Sequence, residues 1–171
     1  NPNPISKFID LFLIGDGEEV ILEVIELYDK IKNQGLKRDE ILEKLSEIEG
    51  VYSPVFSPKR GKVKKRISNL KYQDHPTKSP IPHSQSVHDR ATVEIRRGCG
   101  RLCRFCQSAH TNLPIRERNK EDIISLVKDY VKNTGYDEYS LLSLSSNDHG
   151  KIEEIISELN EYFKGTDVSV S

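Results

Sequence analysis

Residues 91–107 read ATVEIRRGCGRLCRFCQ. The first five alternate small or β-branched residues with polar ones, the pattern of a short strand. The strand runs straight into Cys99, Cys103 and Cys106, and these are the chain's only cysteines. Glycine and arginine fill the gaps between them. The segments that follow set the fold class. Residues 119–135, NKEDIISLVKDYVKNTG, place Ile123, Ile124, Val127, Tyr130 and Val131 at helical spacing. Asn119 suits the N-cap, Asp122 stands at the capping-box position, and Gly135 suits the stop. EYSLLSLSS (138–146) reads as a second strand. DHGKIEEIISELNEYFKG (148–165) reads as a second helix with Ile152, Ile155, Ile156, Leu159 and Phe163 inward, and DVSVS (167–171) opens a third strand. Strand, helix, strand, helix, strand predicts parallel β/α units. Three strands can begin a barrel or form half of an open doubly wound sheet.

Upstream the texture differs. FIDLFLI (8–14) is an apolar run ending in GDGEE (15–19), and it predicts a buried strand, a glycine turn and a helix start. Glu18 and Glu19 would repel a phosphate there and suit the helix dipole instead. The helix carries Val20, Ile21, Val24, Leu27, Tyr28 and Ile31 on one stripe and ends near Gly35. A shorter helix follows with Ile41, Leu42, Leu45 and Ile48, and Gly50 beyond it. Residues 51–90 are rich in proline, lysine, arginine and serine, with only GVYSPVF and KVKKRIS looking extended. The expected organisation is therefore 1–50 as the end of an upstream α/β domain, 51–90 as a basic connector, and 91–171 as the start of the β/α series.

Composition narrows the function classes. With 35% hydrophobic and 31% charged residues and a net charge of −1, the chain fits an ordinary globular protein with no global pull toward nucleic acid or membrane. No run approaches the ~18 apolar residues that span a bilayer, and the start has no secretion-signal pattern, so the cytoplasm is the expected compartment. The chain contains no methionine, and its last residues read as a strand that stops without a turn. Both point to a piece of a longer protein.

The cysteine loop carries the chemistry. An odd count at tight spacing argues against a structural disulfide. Cys103 and Cys106 form a C-x2-C knuckle, and with Cys99 and His110 they could make a tetrahedral zinc site. A zinc site of that kind normally splits its ligands into two separated pairs, whereas these four lie within residues 99–110. A 4Fe–4S cluster asks for one thiolate per iron. Three cysteines would hold three irons and leave the fourth open, and an electron carrier would supply a fourth cysteine. Arg96, Arg97, Arg101 and Arg104 would favour the thiolate form and offset a cluster's negative charge. Gly98 and Gly100 would let backbone N–H groups approach sulfur.

The C-x3-C-x2-C spacing after the first strand of a β/α series, with Phe105 just before the last cysteine, resembles the radical S-adenosylmethionine superfamily. The resemblance implies that Cys99, Cys103 and Cys106 hold a 4Fe–4S cluster whose open iron binds S-adenosylmethionine. The cofactor is then reductively cleaved to a 5′-deoxyadenosyl radical that abstracts hydrogen from substrate. It implies that 91–171 is the first three strands of a partial (β/α) barrel, and that flavodoxin or ferredoxin supplies the electron. Phe105 matches the residue near the adenine, though simple core packing would also account for it. The family's glycine-rich acidic motif after the second strand corresponds here to SLSSNDHG, without those glycines. Ser145, Ser146 and Asn147 are the matching cofactor-binding candidates, and Asn147 and Asp148 also suit a helix cap.

The segments NPNPISKFIDLFLIGDGEEVI, KKRI, VHDRATVEIRRGC and PIRERNKED resemble a branch of that superfamily with a Rossmann-like, cobalamin-binding-like front end, in an uncharacterised bacterial group. That resemblance admits cobalamin in a full-length protein, although no histidine ligand for it stands in the segment. Three other features have bland readings beside functional ones. The basic run at 59–66 could track RNA or simply be solvated. His75, His83 and His88 fit no common metal spacing. Arg116 and Arg118 could reach a cofactor carboxylate or pair with Glu117 or Glu121. The rival to the enzyme reading is a zinc-stabilised interaction module touching RNA. The substrate is not written in this stretch of chain.

Overall fold

The computed structural model describes residues 2–84, 87–166 and 169–170. They divide into two compact units, Asn1–Ser68 and Asn69–Ser171. Residues 51–90 thus belong partly to each: the division falls inside the expected connector.

In the first unit, β1 (Phe12–Leu13) pairs antiparallel with β2 (Val51–Tyr52). The helices α1 (Val20–Ile31) and α2 (Arg38–Leu45) lie between them in sequence, and the short α3 (Ser57–Arg60) follows. The buried strand expected over 8–14 is only these two half-buried residues, and Phe8 is 86% exposed. A two-stranded ribbon has one neighbour per strand and cannot cover both faces. The stripe of α1 is likewise only partly covered: Val20 and Ile31 are buried, while Ile21 and Tyr28 are exposed.

The basic run closes this unit. Gly15 has φ +103° and bridges in parallel to Arg66. Arg66 N–H donates to Ile14 O at 2.9 Å, and Asp16 N–H donates to Arg66 O at 3.1 Å. A Cβ on Gly15 would fall on the Arg66 carbonyl, and one on Gly50 would fall on the Arg66 side chain. The Arg66 guanidinium reaches Glu23 through both terminal nitrogens, and Lys64 pairs with Glu49. Two of the charges that the sequence offered to an RNA backbone, Lys64 and Arg66, are thus partnered within the unit.

The second unit is the parallel β/α series. Strand β3 (Ala91–Glu94) pairs in parallel with β6 (Glu138–Leu142), which pairs in parallel with β7 (Ser169–Val170), in the order β3-β6-β7. Asp167, Val168 and Ser171 of the expected third strand lie outside the described residues. Helix α5 (Lys120–Thr134) connects β3 to β6, and α6 (Ile152–Tyr162) connects β6 to β7. Asn119 is at the N-cap of α5 as expected, but its side chain makes no capping bond. Gly135 ends α5 at φ +76°, its N–H donating to Val131 O.

Alternation in the strands decides which face is buried. Ala91, Val93, Ile95 and Tyr139 pack with Ile123, Leu126 and Val127 of α5 and Ile155 and Leu159 of α6 in one cluster. Both crossover helices therefore lie on the same side of the sheet. The intervening residues Thr92, Glu94, Ser140 and Leu142 occupy the other face and are only half-buried or exposed. The connector residues are tied to α5 and β3: Tyr72 donates to Asp129, Tyr130 donates to Ser79 Oγ at 2.9 Å, and the His75 ring meets Thr92 O at 3.0 Å. Burial, with Arg118 nearby, pushes the His75 imidazole below its ordinary value. His75 is thus a packing residue in this unit.

The buried Tyr139 hydroxyl finds no hydrogen-bond partner among the described residues. Tyr139→Phe should therefore leave stability unchanged or raise it, since an unsatisfied buried hydroxyl costs about 1–3 kcal/mol. Ile155→Ala, in the same cluster, should cost about 2–5 kcal/mol. Denaturant unfolding of both variants checks the pair.

Candidate active site at the cysteine loop

The loop begins where β3 ends. Its two arms meet in a short antiparallel ladder, β4 (Arg96–Arg97) with β5 (Arg116–Glu117), in the register Arg96↔Glu117 and Arg97↔Arg116. The ladder is joined to the sheet by Ile95 N–H donating to Leu142 O at 3.0 Å and Arg118 N–H donating to Ile95 O at 2.9 Å. Between the ladder strands run the cysteines and the helix α4 (Gln107–Thr111).

Arg118 secures this base. The residue is 3% exposed, and among the described residues its guanidinium bonds to carbonyls rather than to a carboxylate. Nε donates to Glu94 O at 3.0 Å, and Nη1 donates to Lys71 O at 2.6 Å and Leu70 O at 3.2 Å. Burial pulls its guanidinium below the ordinary arginine value. The Arg118 carbonyl in turn faces His149 Nε2 at 3.1 Å, while His149 Nδ1 accepts from the Lys151 N–H. Both ring nitrogens of that buried histidine are thereby used, and His149 holds the start of α6 where a capping Asn147 or Asp148 was anticipated. Arg118 thus ties connector, strand and loop together. Arg116 donates to Asn112 O at 3.3 Å across the loop.

Three of the loop arginines are paired with carboxylates. Arg97 makes a two-pronged bond to Glu94 at 3.0 and 2.6 Å. Arg96, buried, lies with Nε 3.1 Å from Glu117 Oε1, an ion pair too skewed to count as a hydrogen bond. Arg101 binds Asp148 through Nε at 2.9 Å and Nη2 at 2.6 Å. Their charge is thus largely balanced locally, which reduces the thiol-activating field that four flanking arginines suggested. Arg104 is exposed. The glycines also serve differently from the expectation. Gly98, at φ +88°, lies so close to the opposite arm that a Cβ would stand 2.8 Å from Asn112 O and 3.1 Å from Pro114 O. A Cβ on Gly100 would meet Ile115 Cδ1 at 3.0 Å. They let the two arms close on each other.

All three thiols are free. Cys99 is buried, and Cys103 and Cys106 are half-buried, joined by a turn in which Cys106 N–H donates to Cys103 O at 2.9 Å. Among the described residues no group of three or more His, Cys, Asp or Glu side chains is already arranged to hold a metal ion. The donor chemistry fits a thiolate-bound cluster: three free sulfurs in one loop. A cluster would have to gather them. His110 is exposed on α4. Phe105 is 92% exposed, which removes core packing as its explanation.

After β6 the chain turns through residues 143–149. Ser145 Oγ donates to Asp148 at 2.8 Å, and Ser145 N–H donates to Ser143 Oγ at 3.0 Å. Ser146 Oγ donates to Leu141 O at 3.0 Å. The hydroxyls of Ser145 and Ser146 are spent on the turn, and Asn147 is exposed. Arg101 and Ser145 together hold the Asp148 carboxyl down to about 2. Between this turn and the cysteine loop lies an open cleft of about 270 Å³, lined among others by Glu94, Arg97, Gly98, Asn112, Leu142 and Ser143. Asp148, His149 and Arg118 were not singled out as a linked set by sequence reasoning. Their partners are 24 to 48 residues distant and leave no local pattern.

Residues 1–54 match the family described as "Radical SAM proteins, N-terminal". An uncharacterized protein of Methanocaldococcus jannaschii is 29% identical over 161 residues, covering 92% of this chain and 32% of that protein. A tRNA-2-methylthio-N(6)-dimethylallyladenosine synthase of Staphylococcus epidermidis is 35% identical over 82 residues, 47% of this chain and 16% of the synthase. The synthase of that name from Clostridium beijerinckii is 28% identical over 133 residues, 77% of this chain and 22% of the synthase. The chain thus spans a third or less of the length of these relatives. Together the similarities lie with radical S-adenosylmethionine proteins and do not favour the zinc module. Among the described residues no helix is long and apolar enough to cross a membrane.

Two outcomes test the geometry. Arg118→Ala should cost about 3 kcal/mol or more, because the carbonyls of Glu94, Leu70 and Lys71 lose their shared donor and the buried side chain leaves a gap, and Arg118→Lys should recover only part of it. Equilibrium unfolding measures both. A carboxyl held down to about 2 in the folded state, against an ordinary 3.8, adds stability that is full above pH ~4 and is lost as pH falls toward 2. Asp148→Asn should flatten that part of the acid-unfolding profile.

Proposed function

We propose that the chain carries the front of the catalytic core of a radical S-adenosylmethionine enzyme. One observation supports this most: three free thiols leave the carboxyl end of the first parallel strand in one loop, beside an open cleft. Ligands of α/β folds gather at that end of the strands. The placement of α5 and α6 on one side of the sheet supports a partial barrel over a doubly wound sheet, whose helices cover both faces.

In this reading Cys99, Cys103 and Cys106 hold a 4Fe–4S cluster. The chemistry such a group supplies is one-electron reductive cleavage of S-adenosylmethionine. Around it the protein's own residues do three things. The β4–β5 ladder fixes the loop's base so that the thiols stay at the strand end. Phe105, free of the core, offers a ring face for the adenine. The turn 143–149 would supply backbone groups and the exposed Asn147 side chain to hold the cofactor's amino group, while the Ser145 and Ser146 hydroxyls keep the turn in shape.

In this reading the first unit is Rossmann-like and cobalamin-binding-like, and cobalamin would be a second cofactor. Flavodoxin or ferredoxin is the expected electron donor, in the cytoplasm. RNA as substrate draws support from the names of the synthases, whose action is on tRNA. The basic run adds little to it, because Lys64 and Arg66 are paired with acids.

Anaerobic reconstitution of the chain with iron and sulfide should yield about four irons per chain, as one cluster requires. Cys103→Ala should abolish the uptake, and His110→Ala should leave it intact. A tightly held zinc ion that His110→Ala releases would overturn the reading.

A further inference from the structure

The base of the cysteine loop is fixed by the ladder and by Arg118, but its tip has looser surroundings. Arg101, Leu102, Arg104 and Phe105 are all exposed. Leu102 also sits at φ +45°, a left-handed conformation that a leucine adopts only where neighbours hold it. Immediately before it, Arg101 makes its two-pronged bond to Asp148, 47 residues further along the chain. Asp148 is also the acceptor of Ser145 Oγ and lies 3.7 Å from Arg96 Nη1. One carboxylate thus joins the loop tip, the loop base and the turn after β6.

We propose that Asp148 is a positioning residue for the cysteine loop: it latches Arg101 to the turn 143–149 and so sets where Cys103 stands relative to the cleft. The proposal rests on the radical-enzyme reading for its purpose, but the latch itself is a property of the protein without any cofactor. Two-pronged arginine–carboxylate bonds fix direction as well as distance. With Arg101 66% exposed, solvent screens the pair, and Ser145 and Arg96 share in holding the Asp148 carboxyl down, so losing Arg101 alone costs only part of the stability that the acid profile reports. The pair's effect falls on the loop's local opening, which is governed separately from global unfolding. Because Ser145 and Asp148 share the turn, the placing of the thiols is tied to the segment that would meet the cofactor's amino end.

The test uses the whole chain and amide hydrogen exchange read by mass spectrometry. In Arg101→Ala and Asp148→Ala, exchange across residues 99–106 should run about fivefold faster, the opening expected from losing one exposed ion pair. Exchange in α5 and α6 should not change. Arg101→Lys keeps the charge but loses the fork, and should fall between. Added salt should speed loop exchange in the native chain toward the variants' rate and leave the variants unmoved. Unchanged loop exchange in both alanine variants would overturn the latch, and Arg101→Ala guards against a folding defect because that side chain is 66% exposed. Iron and sulfide retention measured alongside separates the two ideas. A native chain that takes up no cluster while the exchange pattern responds leaves the latch standing and removes its proposed purpose. A native chain that holds a cluster, with variants identical to it in exchange and retention, removes the latch alone.

Discussion

The second unit turns on one buried guanidinium. Arg118 donates to carbonyls of β3 and of the connector, its own N–H pairs with Ile95, and its carbonyl faces His149. A charge taken out of water is tolerated only where its donors are met. Backbone carbonyls meet them here, so the cost of burial is offset by fixing four pieces of chain in one place. Without that tie, a ladder of two residues per strand would be a weak hinge for a loop that carries all three thiols.

The rest of the site follows from the close of the loop on itself. Gly98 and Gly100 remove the side chains that would keep its arms apart, and the arginines find carboxylates at Glu94, Glu117 and Asp148. The result is a charge-balanced collar around free sulfurs. An uncompensated cluster of guanidinium groups would repel itself. The collar places positive groups near the loop without leaving Arg96, Arg97 and Arg101 unpaired. Its cleft is open on the sheet face that α5 and α6 do not cover, the face where Thr92, Glu94, Ser140 and Leu142 stand.

Much of this unit was legible in the chain. The stripe Ile123, Ile124, Val127 and Tyr130 is buried as its spacing required, and so are Ile155, Leu159 and Phe163. Such residues report on a face that one helix presents, which is a local property. The glycine stop at Gly135 is equally local. What escaped was long-range. Nothing near Arg118 announces carbonyl partners at Glu94 and Leu70, and nothing near Asp148 announces Arg101. The two-residue strands β4 and β5 are too short to leave an alternation. In the first unit the apolar run 8–14 promised a buried strand, but hydrophobicity alone does not supply a covering layer, and only Phe12 and Leu13 pair. The basic run shows the same limit. Its composition suggested a surface for a polyanion, whereas Arg66 is seated against Gly15 and Gly50 and bound to Glu23.

The central claim is that Cys99, Cys103 and Cys106 hold a cluster with one iron left open for a cofactor. Electron paramagnetic resonance of the reduced, anaerobically reconstituted chain, recorded with and without S-adenosylmethionine, tests it most directly. The account requires a 4Fe–4S signal whose shape changes when the cofactor is added. A signal indifferent to the cofactor, in a chain shown to hold its full iron, would contradict the open iron and with it the radical-enzyme reading.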